Sequence, residues 1–296
     1  MDRKLLLKRD MKEKQELVNI ILDRFLPRKD EYPKDLHKAM RYSVFAGGKR
    51  LRPYLTMTTF EMFHPDIEII TPVAAGIEMI HTYSLVHDDL PDIDDADMRR
   101  GKKSCHSVFG EGVALLAGDA LLLSAFELIT LAELEAKLKV QFVYELAKEV
   151  GIKGLIAGQM VDIESEGKKV DKKTLNYIHE NKTARLINLS IRFGALAGKA
   201  EEGDLKILDE YGKLIGLVFQ IVDDLLDIEG TQEETGKTPG RDAENAKVTF
   251  PAVYGIAESH KKAEELTEKA REIIVPLGEK ALKLDILAEY LLGRKE

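Results

Sequence analysis

GDLKILDEYGKLIGLVFQIVDDLLDI, residues 203–228, decides the fold. The stretch is rich in Leu, Ile, Glu and Lys, residues that favour helix. It lacks the strict apolar–polar alternation of a half-buried strand and the turn signals that bound hairpins. It predicts one long α-helix that runs into Asp223, Asp224 and Asp227. Outward from it, Val73–Leu90, Gly112–Leu134, Leu138–Ile163 and Lys173–Leu196 have the same helix-forming composition. Val18, Ile21, Leu22, Phe25 and Leu26 follow the 3–4 spacing of an amphipathic helix, as do Leu284, Leu287 and Leu291 near the end. Prolines such as Pro53 and Pro72 fall at helix edges. No low-complexity linker and no 20–50-residue repeat divides the chain. The expected architecture is all-α, a single domain over residues 1–296. Three loops interrupt it: 46–50, 91–103 and 229–247.

Composition narrows the function. The 52 acidic and 44 basic residues give a net charge of −8 over 296 residues, and 44 % of residues are hydrophobic. That apolar fraction excludes a disordered chain, and the acidic balance argues against a nucleic-acid partner. The single cysteine, Cys105, rules out an intrachain disulfide and a four-cysteine zinc site. The N-terminal MDRKLLLKRDMKEKQE has too short an apolar run, Leu5–Leu7, for a signal-peptide core. The most apolar region, Gly112–Phe126, is interrupted by Asp119, so no membrane span is expected. The expectation is a cytoplasmic protein.

The acid is concentrated. His87-Asp88-Asp89-Leu90-Pro91-Asp92-Ile93-Asp94-Asp95-Ala96-Asp97 holds six aspartates within ten residues, and a second cluster places Asp223, Asp224 and Asp227 together. Both follow apolar helical runs, so both should lie at helix C-terminal ends. Carboxylates there oppose the helix dipole by ~0.3–1 kcal/mol each. Asp223 and Asp227 are four apart and share a helix face. Such runs are either solvated charge or an oxygen-rich site for a hard divalent cation, Mg²⁺ first. Other readings fail on spacing. An EF-hand starting at Asp92 would need Gly and Glu where Asp97 and Lys103 stand. The Glu78-x-x-His81 element lacks the second copy that a di-iron bundle requires. A P-loop ending at Gly48-Lys49 has Ser43 and Arg50 in place of the required Gly and Ser/Thr.

Cations gather near the same loops: Lys49, Arg50 and Arg52; Arg99 and Arg100; Lys182; and Lys237, Arg241 and Lys247. Beside two metal-type clusters they suit a diphosphate, bridged to carboxylates by Mg²⁺ and held directly by Lys and Arg.

These blocks carry a resemblance. GGKRLRP (47–53), HTYSLVHDDLPDIDDADMRRGKKSCH (81–106), GDALL (118–122), GQMVDI (158–163), NKTARL (181–186), FQIVDDLLDIEG (219–230) and GKTPGRDAENAKVTFP (236–251) are similar to the trans-isoprenyl diphosphate synthases, the polyprenyl synthetase family. Within it they most resemble bacterial farnesyl diphosphate synthases. The resemblance implies long antiparallel helices around a central cavity, a homodimer, and head-to-tail transfer of a prenyl group. Dimethylallyl or geranyl diphosphate would ionise with the help of about three Mg²⁺ ions, and isopentenyl diphosphate would attack the cation. It implies Asp88, Asp89 and Asp94 at the acidic positions of the first motif, with Asp88 and Asp94 as metal ligands. Asp223 would bind a further ion, supported by Asp224 and Asp227. Lys49, Arg52, His81 and Arg100 match the isopentenyl diphosphate pocket. Arg99, Lys182, Thr183, Gln220, Lys237 and Lys247 match the allylic site, and Gln159 a position near the metals. Two departures stand out. Asp92 adds a carboxylate where the family usually has a small or neutral residue, and Arg241 stands where many members have lysine.

Resemblance also implies that the residues four and five before the first motif, Ser84 and Tyr83, set product length. Five residues of helix reach about 7.5 Å deep. A tyrosine there implies a fifteen-carbon product. A geranylgeranyl or longer-chain synthase is the alternative. A terpene cyclase is disfavoured because Asp223-Asp224-x-x-Asp227 is the prenyltransferase form of the second motif. A non-catalytic partner subunit is disfavoured because the aspartates are kept.

Overall fold

The computed structural model describes residues 2–230 and 247–294, so Lys237 and Arg241 lie outside the described residues. The described chain is helical almost throughout. It runs through α1 (Arg3–Phe25), α2 (Lys34–Val44), α3 (Leu51–Glu61) and α4 (Thr71–Asp88). A two-stranded ribbon, β1 (Met98–Arg99) and β2 (Lys102–Lys103), leads to α5 (Cys105–Phe109), α6 (Glu111–Thr130), α7 (Ala136–Val150) and α8 (Leu155–Ser165). α9 (Lys172–Ile178) passes through a π-helical turn, His179–Ala184, into α10 (Arg185–Ala197). α11 (Glu202–Glu229) is followed by α12 (Phe250–Tyr254), α13 (Ile256–Ile273), a 3₁₀ segment (Val275–Ala281) and α14 (Leu282–Leu292).

Local chemistry sets several of these boundaries. Asp2 and Asp171 cap α1 and α9 by accepting from Lys4 and Thr174 backbone N–H groups. Pro72 sits in the first turn of α4, where its missing N–H costs nothing. The helix expected over 138–163 is two helices. Gly151-Ile152-Lys153-Gly154 makes a turn, with Gly154 N–H donating to the Gly151 carbonyl, and α8 restarts beyond it. The ribbon is also an addition to the sequence reading. Its central residues, Arg100 and Gly101, both have positive φ, as a tight two-residue hairpin turn demands.

Most of α4 is buried all round, from Val73 to Ile80, which is why its sequence is apolar without a stripe. It packs most extensively on α6. The two run antiparallel: Gly76 faces Ala125 and Ile129, while His87 faces Leu115 and Gly118. A first core cluster joins α4 and α6 with α1, α2, α3, α7 and α10. A second lies between α3, α10, α11, α13 and α14. A third, smaller one seats α12 and α13 on α11. α6 is, among the described residues, the one helix long and apolar enough to cross a membrane by length and composition. Even so, 39 % of its apolar window is buried within the protein.

Candidate active site

α4 and α11 end at one cavity of about 370 Å³. α4 brings His81, Ser84, Leu85 and Asp88 to its wall, and α11 brings Phe219, Gln220, Asp223, Asp224, Leu226 and Asp227. The loop and ribbon after α4 add Asp94, Arg99 and Arg100. α8 adds Leu155 and Gln159, and the π-turn adds Lys182 and Thr183. Arg52 and Lys247 complete the cationic lining. The two aspartate clusters, 135 positions apart between Asp88 and Asp223, therefore meet across one space. Lys49, Tyr83 and Asp89 are not among the lining residues.

The aspartates divide by environment. Asp88 sits deep at the end of α4. Burial raises its carboxyl above the usual range, opposed first by the Lys182 charge. Asp94 is also desolvated, but Lys247, whose Nζ stands 2.9 Å from its Oδ1, and Lys182 pull it below the usual range. Asp89 is buried and accepts from Arg99 Nε at 2.9 Å and from Arg99 Nη2, so it holds an arginine in place. Asp224 is buried as well. Its oxygens accept from the Phe250 backbone N–H and from Gln220 Nε2, each at 2.7 Å, with His179 Nε2 3.4 Å away. That carboxylate ties the start of α12 to α11. Asp223 accepts from Arg294 Nη2 at 3.1 Å.

Lys182 lines the same cavity beside the first cluster. Burial alone would lower its pKa, but Asp88, Asp162 and Asp94 override that and raise it, so it is firmly protonated. Its Nζ donates to Asp162 Oδ2 at 2.6 Å. The π-turn that carries it inserts an extra residue into the helix, and Thr183 Oγ1 next to it donates to Gln220 Oε1 at 2.6 Å. Gly158 on α8 permits this approach, because a Cβ there would stand 2.5 Å from the Lys182 backbone nitrogen.

A second, cationic end is built from Arg52, Arg100 and His81. Burial and then Arg52, Arg100, Arg99 and Arg50 hold His81 well below its ordinary pKa. It is neutral at pH 7, with Nε2 3.4 Å from Arg100 Nη2. Burial lowers Arg52 to about 10, against the pull of Glu78, so it stays charged. Arg50, grouped with these cations in the sequence, turns inward instead. It makes a buried 2.8 Å pair with Glu78 and donates to the Val44 carbonyl. Lys49 lies over the Tyr290 ring of α14, 5.6 Å from its centroid.

Sequence reasoning missed Asp162, His179 and Arg294, and it weighed Glu78 only as an iron ligand. Asp162 was within reach: it is three residues after Gln159 on the same helix, in the quoted GQMVDI block. The donor set suits a hard divalent ion, since each rim offers carboxylate oxygens and no cysteine thiolate. Among the described residues no three His, Cys, Asp or Glu side chains gather closely enough to enclose an ion alone. One or two carboxylates per ion, completed by water and phosphate, is how Mg²⁺ is commonly held.

Comparison with known proteins gives the same picture. The sequence profile of the polyprenyl synthetase family matches residues 33–276. A farnesyl diphosphate synthase of Geobacillus stearothermophilus is 46 % identical over 255 residues, covering 85 % of this chain and 86 % of that one. A geranylgeranyl diphosphate synthase of Cyanophora paradoxa is 42 % identical over 285 residues, covering 95 % and 94 %. The crystal structure of a geranyltransferase from Helicobacter pylori, complexed with magnesium and isoprenyl diphosphate, superposes with a TM-score of 0.85. It shares 31 % identity, covering 99 % of this chain and 97 % of that one.

Proposed function

The chain belongs to the polyprenyl synthetase family and is a prenyltransferase, and from that premise we propose that it condenses isopentenyl diphosphate with dimethylallyl and then geranyl diphosphate to give farnesyl diphosphate. The observation that carries the reading is the meeting of the two acidic rims across one cavity that a protonated lysine also lines. Asp88 and Asp94 on one rim and Asp223 on the other would hold Mg²⁺, which when bound offsets the charge on a departing diphosphate. Lys182 and Arg99 bind and orient the allylic diphosphate, their positive charge fixed by Asp162 and Asp89 before substrate arrives. Thr183, Gln220 and Lys247 line the same end. Arg52, Arg100 and neutral His81 take the second diphosphate, and Lys49 would have to turn from the Tyr290 ring to join them. Leu85, Leu155, Ile178 and Leu226 keep water from the allylic cation. The allylic C–O bond breaks, a C–C bond forms to the isopentenyl double bond, and one proton leaves the product.

Tyr83 supports a fifteen-carbon product. It is buried on α4 next to the cavity residue Ser84, and its bulk would stop a longer chain that reached past Ser84. A twenty-carbon or longer product is the second reading, favoured by the relative named as a geranylgeranyl diphosphate synthase. The test is incubation with Mg²⁺, labelled isopentenyl diphosphate and each allylic primer in turn, followed by chromatography of the hydrolysed products. Farnesol as the main product is expected. No condensation with any primer would overturn the activity, and geranylgeraniol as the main product would overturn the length. We further infer a homodimer formed through the apolar outer face of α6–α8, where Leu116, Leu123, Val140, Tyr144 and Met160 are exposed.

A further inference from the structure

Tyr83 and His87 are one turn apart on α4 and share a face of it. Helical side chains lean back towards the N-terminus. The His87 ring accordingly meets the Tyr83 ring edge to face, with centroids 5.7 Å apart and planes at 87°. The Tyr83 hydroxyl is buried with no hydrogen-bond partner, so packing alone fixes the angle of the phenol. His87 is fixed by more than packing. Its Nε2 stands 3.0 Å from the Leu115 carbonyl oxygen of α6, a bond that the Nε2–H tautomer donates. Gly118 of the same helix forms a notch for the ring: a Cβ there would lie 2.1 Å from Nε2. The imidazole is thus gripped by α6 on one side and presses on Tyr83 on the other. Like Tyr83, it is not among the residues that line the cavity.

We propose that His87 is a specificity-determining positioning residue, whose imidazole, keyed into the Gly118 notch of α6, pins the Tyr83 ring as the stop for the growing prenyl chain. His87 meets no substrate and acts through Tyr83. Without the ring, Tyr83 can swing into the vacated space and the chain has room for one more isoprene unit. The same contact accounts for the glycine in the GDALL block: any side chain at 118 would displace the imidazole.

The inference rests on Tyr83 forming the floor, so Tyr83→Ala is measured alongside. Each variant is given dimethylallyl and isopentenyl diphosphate with Mg²⁺, and the ratio of twenty- to fifteen-carbon product is read by chromatography. His87→Ala and His87→Asn should each raise that ratio about three- to tenfold, the factor carried by one lost edge-to-face ring contact. His87→Asn keeps a side-chain donor for Leu115 but no ring, and it also serves if the alanine variant does not fold. If Tyr83→Ala leaves the product unchanged, the floor reading fails and this inference with it. If Tyr83→Ala lengthens the product while neither His87 variant does, the inference alone fails. A His87 variant that loses turnover at unchanged product ratio also overturns it, because His87 would then act through Asp88.

Discussion

Asp88 shows how much one position can depend on its neighbours. Its burial at the end of α4 disfavours charge, and Lys182 opposes that penalty. An asparagine there would keep the shape and remove the charge. Asp88→Asn should therefore lower turnover by ~10²–10³-fold, the scale of losing one preorganised electrostatic group, with the helical circular dichroism unchanged. Retained turnover would move the metal-holding role to another residue. Asp89 and Asp224 carry the same letter and do different work, one holding Arg99 and the other the Phe250 backbone N–H. Spacing marked out all of these aspartates but could not sort them. What sorts them is the partner each meets, and those partners come from elsewhere in the chain. Arg294 reaches Asp223 from 71 residues away, and Asp162 reaches Lys182 from 20. No local pattern records such pairings.

The elements were more legible than their irregularities. Helix-forming composition found α4, α6 and α11 nearly to their ends, because long helices repeat their signal over many turns. The π-turn at His179–Ala184 and the Arg100-Gly101 hairpin left no comparable trace. Each is decided by one or two residues, and both deliver site cations. One element contact has consequences for stability. Lys14 of α1 and Lys283 of α14 both donate to Asp10 of α1 and Glu61 of α3, at 2.7–2.9 Å, so one four-charge network joins the two ends of the chain. Lys14 is almost wholly buried. Lys14→Met should cost about 1–3 kcal/mol, between the exposed and buried regimes for ion pairs, as a fall in the urea midpoint. For both carboxylates burial pushes the pKa up, but the two lysines override it and hold Asp10 and Glu61 below their ordinary values. Their contribution is fully present above the unfolded values near 4 and is lost as pH falls through the lower folded ones. For Lys283 burial pulls down and the two acids override it, so its pKa is raised. Its contribution is present below about pH 10.4 and is lost at higher pH. Unfolding followed from pH 7 to pH 3 should show the Lys14→Met variant losing less stability than the parent. An equal acid loss in both would exclude the network as its source.

At the scale of the molecule, a net charge of −8 describes the surface, while the cavity places acid on two rims and cations beside them. Global charge therefore argues against a nucleic-acid partner without arguing against a diphosphate. The same difference between total and distribution applies to apolar residues. Single exposed apolar side chains are ordinary, but a contiguous set on neighbouring helices marks an interaction surface. Leu116 and Leu123 on α6, Val140 and Tyr144 on α7 and Met160 on α8 are each at least half exposed. α6 is apolar on both sides, one packed on α4 and the other open, which is why its sequence resembles a membrane span by composition. Contact with a second copy would cover the open side. Light scattering at micromolar concentration should give twice the chain mass of 33.2 kDa. Leu123→Glu, which would bury an unpaired carboxylate at that contact, should return the single-chain mass. A parent protein that is already monomeric, or a Leu123→Glu variant that stays dimeric, would remove α6 from the interface. Because α6 also carries the Gly118 notch, a monomeric variant tests whether the contact steadies the product stop. If it does, the monomer's product should lengthen, whereas a dimer contact independent of the floor would leave product length unchanged.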